Sequence, residues 1–259
     1  MRKTKMKKVT LLAIPLMSLG LVWSSSAFAA TDGQDPVPAT RDTPVSAELQ
    51  VSDGSNPMPP HPGTNGPNPD QGPSGNFGIS YVPIKFSTAA TKLNDSGEQK
   101  IAFAPNSTGE KFHVGVKDKT RDTYGWQLQA TFTAGTDAAT SIPGTSIVFE
   151  NGADKVKRND GTSTNATLNN LTSDEENGFY IGAGPTTTTP PAKVTLTNGN
   201  TVGIFGAKGQ VTYNGVYDYE LGQPSLVIAD TQPIKAGKYT GVGTVNWNLV
   251  LAAPVTPNP

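Results

Sequence analysis

The chain has 259 residues, with 28 glycines, 22 prolines, no cysteine and a formal net charge of −1. The lack of cysteine excludes disulfide staples, a thiolate nucleophile, a thiolate metal site and a lipid-modified N-terminal cysteine, so any folded domain must be held by its hydrophobic core. No cluster of lysine and arginine follows the N-terminal segment, which excludes nucleic-acid binding by phosphate neutralisation.

Residues 1–29 have the layout of a secretory signal peptide. Arg2, Lys3, Lys5, Lys7 and Lys8 form a cationic start, Val9 to Trp23 are mostly apolar, and Ala27-Phe28-Ala29 is a small-x-small cleavage site. Its removal takes five positive charges and no negative one, moving the net charge from −1 to −6. The expected exported chain is acidic, so bulk Coulomb attraction would not hold it on an anionic surface. Residues 30–43 are polar and proline-bearing and read as a flexible segment. Val45, Ala47, Leu49 and Val51 then alternate with Ser46, Glu48, Gln50 and Ser52, the period of a half-buried strand. Asp53 to Gly75 holds seven prolines and five glycines in 23 residues, too little apolar content to pack, and reads either as an interdomain linker or as a mobile loop within one domain, with His61 a solvated loop residue.

From Asn76 on, turn residues recur every eight to twelve positions, and the pieces between are rich in Val, Ile, Thr, Phe and Tyr. Strands are expected over 76–82, 99–104, 111–117, 125–133, 145–150, 166–171, 193–198, 202–205, 216–221, 225–229 and 238–251. No window of a dozen residues carries a sustained helical stripe. The expected fold is all-β, an antiparallel β-sandwich or partly closed barrel with long Pro/Gly-rich loops, spanning residues 44–254 and followed by a tail over 255–259. That tail carries no sorting motif, hydrophobic run or basic stop, so the exported chain is expected either to be released to the medium or to be held non-covalently.

Two stretches repeat one device. In Tyr124-Gly125-Trp126-Gln127-Leu128-Gln129-Ala130, Trp126 and Leu128 share one strand face and the glutamines take the other. In Thr240 to Pro254, Val245, Trp247, Leu249 and Leu251 share a face, with Thr244, Asn246, Asn248 and Val250 opposite. Two W-x-L motifs far apart resemble the WxL domain of surface proteins from Gram-positive bacteria. Gly75-Asn76-Phe77-Gly78-Ile79-Ser80-Tyr81-Val82-Pro83 is similar to the family's entry strand, and Val116 to Leu128 is similar to its V-x-D-x-R-x-x-G-W-x-L segment. Thr120 separates Lys119 from Arg121, and Val245-Asn246 stands before Trp247, where the family pattern differs.

The resemblance implies a wall-attachment module that binds peptidoglycan without a covalent bond, beside membrane-anchored WxL-interacting proteins and other WxL proteins. It points to Trp126, Leu128, Trp247 and Leu249 as the binding motifs, with Asp118 and Arg121 in the charged turn before Trp126 as hydrogen-bonding partners of a ligand. A buried tryptophan pair would support the binding face from beneath, whereas an exposed pair would touch sugar rings directly. The alternative is an adhesin or interaction subunit whose ligand is another exported or membrane-anchored protein, met at a sheet edge or apolar patch.

Neither catalysis nor a cofactor is expected. No nucleophile-elbow, zincin, Walker or dinucleotide-binding motif occurs, and no metal-ligand spacing stands out. His113 is flanked by Phe112 and Val114 in an expected strand, a structural setting. Asp174-Glu175-Glu176 sits among Thr172, Ser173, Asn177 and Gly178 and reads as solvated charge rather than as a glycosidase carboxylate pair.

Overall fold

A computed structural model describes residues 43–49, 56–67, 75–121, 124–150, 152–185, 191–209 and 214–251. The expected signal peptide over 1–29, residues 30–42 of the expected flexible segment and the tail over 255–259 lie outside the described residues. The chain divides into two units, Met1–Glu48 and Leu49–Pro259. Of the first, residues 43–48 are described, and they are exposed and without regular structure. All strands belong to the second.

Strands β1 (Asn65–Pro67), β2 (Phe77–Pro83), β3 (Gln99–Ala102), β4 (His113–Asp118) and β5 (Trp126–Ala134) come first, then β6 (Thr145–Glu150), β7 (Lys157–Asn159) and β8 (Leu168–Asn170). A single helical turn, α1 (Ser173–Glu176), precedes β9 (Phe179–Ile181), β10 (Lys193–Leu196), β11 (Thr201–Ala207), β12 (Gly215–Glu220), β13 (Gln223–Ile228) and β14 (Gly243–Leu251). They form a six-stranded sheet in the order β1-β2-β4-β12-β7-β8 and two four-stranded sheets, β10-β6-β13-β3 and β14-β5-β11-β9. Every pairing within these sheets is antiparallel and none closes into a barrel, so of the two expected architectures the sandwich is the one formed.

The third sheet carries both W-x-L motifs, and its inner face supplies much of the core. Trp126, Leu128, Phe132 and Phe205 are buried almost completely. Rings of this sheet meet rings from both other sheets: Phe205 stacks with Tyr219 of β12 at 5.7 Å, Phe179 lies tilted against Tyr217 of β12 at 4.5 Å, and Trp247 stacks with Phe149 of β6 at 6.3 Å. Burial raises the Tyr217 and Tyr219 hydroxyl pKa values, the latter to about 12.

A buried polar network ties β2, β4 and β12 together. The Tyr81 hydroxyl donates to Asp218 Oδ2 at 2.8 Å, and His113 Nδ1 lies 2.9 Å from Asp218 Oδ1. Burial first, and then the Asp218 carboxylate, push the Tyr81 hydroxyl well above its usual range. The Tyr81 ring crosses directly over Gly115, where a Cβ would sit 2.4 Å from it, so only glycine fits there.

Two sequence expectations change. Val45 and Leu49 are 92% and 91% exposed, and residues 43–49 form no strand; alternation equips a segment to be half-buried but provides no partner edge. The proline-rich stretch is packed rather than loose over residues 56–67, where Pro57, Pro59, Pro60, Thr64 and Asn65 are buried. Asn65 does this through its side chain: Nδ2 donates to the Pro60 and Lys111 carbonyls at 2.7 and 2.9 Å, and Oδ1 accepts from the His113 backbone at 2.8 Å. His61 is accordingly half-buried, with its ring 5.7 Å from that of His113.

Candidate functional site

The two W-x-L motifs, more than a hundred residues apart in sequence, lie on adjacent antiparallel strands. In the β14–β5 register Leu251 faces Trp126, Leu249 faces Leu128, Trp247 faces Ala130 and Val245 faces Phe132. Directly opposed residues share a face in an antiparallel pair, so one motif runs head to tail beside the other on the inner side. The small Ala130 leaves room for the Trp247 indole, which lies nearly parallel to Phe149 at 12°.

Their environments differ. Strand β5 is central, between β14 and β11, and Trp126 is fully buried with Phe205 edge-on at 5.4 Å and Phe179 at 6.1 Å. Strand β14 is the sheet edge, and Trp247 and Leu249 are half-buried while Leu251 remains 63% exposed.

Asp118, at the end of β4, is 2% exposed and turned inward. Its Oδ2 accepts from Trp126 Nε1 at 2.9 Å, and its Oδ1 accepts from the Thr120 hydroxyl at 2.8 Å and the Thr120 backbone N–H at 3.2 Å. The spacing from Asp118 to Trp126 thus serves the indole N–H, which would otherwise be an unpaired buried donor. Arg121 stands in the same turn but is exposed, in the left-handed region at φ 55°. The turn therefore parts the two charges singled out from sequence: the carboxylate faces the core and the guanidinium faces solvent.

The outward side of the sheet holds what a search for catalytic residues passes over. Gln127, Gln129, Thr131 and Thr133 of β5 lie beside Thr244, Asn246, Asn248 and Val250 of β14, with Thr201 of β11 on the other flank. Gln129 donates to Gln127 Oε1 at 2.8 Å, the Thr131 and Thr201 hydroxyls are 2.7 Å apart, and Asn246 donates to the Thr133 hydroxyl at 3.2 Å. Gln127 is itself held by the Ala183 carbonyl at 3.0 Å. The available signal was the middle letter of each motif, since Gln127 and Asn248 are both amides. Not one residue of β5, β11 or β14 is ionisable.

The acidic run forms α1, capped by Thr172 and Glu175 in a reciprocal capping box. Glu175 pairs with Arg158, and Glu176 pairs with Lys155 at 2.9 Å, so these acids fasten a surface turn. Among the described residues no three His, Cys, Asp or Glu side chains are grouped to hold a metal ion, and no helix is long and apolar enough to cross a membrane.

An all-β domain whose two W-x-L segments are paired in one sheet, with the first indole anchored on the aspartate ahead of it, has the layout of a WxL-type surface domain. The family model described as "WxL domain surface cell wall-binding" matches residues 36–253, and the chain belongs to that family. It is a surface protein carrying a cell wall-binding domain. No curated protein and no solved structure matches it.

Proposed function

We propose that the protein is an exported, non-catalytic component of a Gram-positive envelope, freed of residues 1–29 and held non-covalently on peptidoglycan by residues 44–254. The observation that carries this reading is the pairing of the two motifs in one sheet, which makes a single platform from segments at opposite ends of the domain. With Trp126 sealed in the core and Trp247 half-buried against Phe149, the indoles act from beneath, stiffening the sheet so that its outward side stays in place for a ligand.

The test is sedimentation with protein-free cell walls. The wild-type chain is expected to pellet with them and to remain bound in moderate salt, because an acidic protein on an anionic wall gains nothing from bulk charge. Wild-type protein left in the supernatant at every salt concentration sinks the reading.

A second reading has its own support. Strand β14 presents nine residues with no outer neighbour among the described residues, and no lysine or proline blunts that edge. An extended segment of a membrane-anchored WxL-interacting protein, or of another WxL protein, could add to it as a further strand. Capture of such an ectodomain without any binding to bare walls would favour this reading over the first.

A further inference from the structure

We propose that the open outward face built by Gln129, Thr131, Asn246 and Asn248 is the ligand-contacting surface, and that it takes the uncharged N-acetylated glycan strand of peptidoglycan rather than the wall's anionic polymers. This rests on the wall-binding reading above and assigns it a place and a chemistry.

Charge is the first argument. Lys, Arg, Asp and Glu make up 16% of the chain, yet β5, β11 and β14 have none on either face. Solvent-facing strand positions, above all on an edge strand, commonly carry charges that discourage sheet-to-sheet association. A neutral face gives up that protection, and it also avoids desolvating a charge when a neutral ligand settles on it. It offers nothing to a phosphate-rich polymer, which lysine and arginine would recognise.

Chemical matching is the second. Amide and hydroxyl side chains each donate and accept, as do the hydroxyl and acetamido groups of an N-acetylated sugar. The side chains form a grid, about 4.8 Å apart between strands and about 6.7 Å apart between same-face residues along one strand. Asn246 and Asn248 are exposed and Gln129 and Thr131 are half-buried, so the grid is open to a ligand.

Preorganisation is the third. Gln129 is fixed by Gln127, Gln127 by Ala183, Thr131 by Thr201 and Asn246 by Thr133. Side chains already locked by their neighbours lose little rotamer freedom when a ligand arrives. The Asn248 side chain, with no partner among the described residues, is left to bond the ligand. The Trp126, Leu128, Trp247 and Leu249 side chains are the floor beneath this grid, which explains why each motif alternates a large apolar residue with an amide.

The experiment measures binding of the full chain to intact walls and to sacculi stripped of anionic polymers by acid, with self-association followed by analytical ultracentrifugation. Asn246→Asp/Asn248→Asp and Gln129→Ala/Asn248→Ala are the test variants, and Lys155→Ala, an exposed position paired with Glu176 of α1, is the control. Wild type and K155A are expected to bind both preparations alike. Each double variant is expected to lose about tenfold or more in affinity, the worth of one or two hydrogen bonds, while Tm moves by no more than about 2 °C. Double variants that bind stripped sacculi as tightly as wild type overturn the assignment of the face. Wild type that binds intact walls but not stripped sacculi overturns the glycan assignment. A dimer that dissociates in the double variants without any change in sacculus binding makes the face a contact between copies, and overturns the proposal as well. Wild type that binds neither preparation fails the wall-binding reading itself, a result distinct from the other three.

Discussion

The two W-x-L motifs share their lettering and their sheet, and they differ in almost everything that sets energy. Trp126 lies on a central strand, fully buried, ringed by Phe205 and Phe179, with its N–H bonded to a buried carboxylate. Trp247 lies on the edge strand, half-buried, with its ring stacked on Phe149. Burial energy scales with apolar area removed from water, so the first motif is a keystone of the core and the second is a seam that closes the sheet. One short pattern therefore marks a face and a strand, and its worth depends on how many neighbours that strand acquires.

The largest break in this comparison comes from Trp126→Ala. It should cost about 3–5 kcal/mol in denaturant unfolding, from lost transfer energy plus a cavity that the surrounding rings cannot fill. A cost no greater than that of Trp247→Ala would show that the motifs are equivalent after all.

Alkali tests the same asymmetry without mutation. Tyr180, whose hydroxyl reaches the Trp126 carbonyl at 3.4 Å, and Tyr217 and Tyr219, packed against the rings around Trp126, all have hydroxyl pKa values raised, chiefly by burial. A phenol whose folded pKa lies above its unfolded value adds stability that is fully present below about pH 10 and is lost as pH rises through the folded value, about 12 for Tyr219. Tm should stay flat with respect to these groups up to about pH 10 and fall between about 10 and 12.

Asp118→Ala removes the acceptor of the buried Trp126 indole N–H and should cost about 1–3 kcal/mol for that unpaired donor. Asp118→Asn keeps a carbonyl oxygen for the indole and should recover much of that loss. A ligand-contacting role for Asp118 would instead lower wall binding with stability unchanged.

Trp247→Ala should cost less, about 1–2 kcal/mol, since only part of the ring leaves water. Its fluorescence sharpens the point: the emission lost in Trp247→Phe should be redder and more readily quenched by acrylamide than the emission lost in Trp126→Phe. Smallest of all, Thr172→Ala opens the capping box of α1 at a cost of about 0.5–1 kcal/mol and should leave both motifs and wall binding untouched.

Much of this was legible before any coordinates. The alternation in residues 125–133 and 238–251 fixes which side chains share a face, because successive strand residues point to opposite sides, and β5 and β14 keep that phase. The strands that escaped notice, β1, β7 and β9, are three residues each, too short for a period to show. Residues 56–67 pack against expectation because Asn65 side-chain bonds and pairing with β2 bring their prolines into the fold, and composition records neither. At the site, the importance of Asp118 was legible, but its direction was not: eight positions before Trp126 it could face solvent or core, and the Thr120 and indole bonds chose the core.

The sequence by itself determined an all-β chain, the two tryptophan strands and the face each indole takes, since these follow from local periodicity and turn chemistry. Only the tertiary structure decided that the two strands are neighbours, that one is central and the other an edge, and that the uncharged amides share a single open surface. Those outcomes depend on pairings between residues more than a hundred positions apart, which local pattern does not encode.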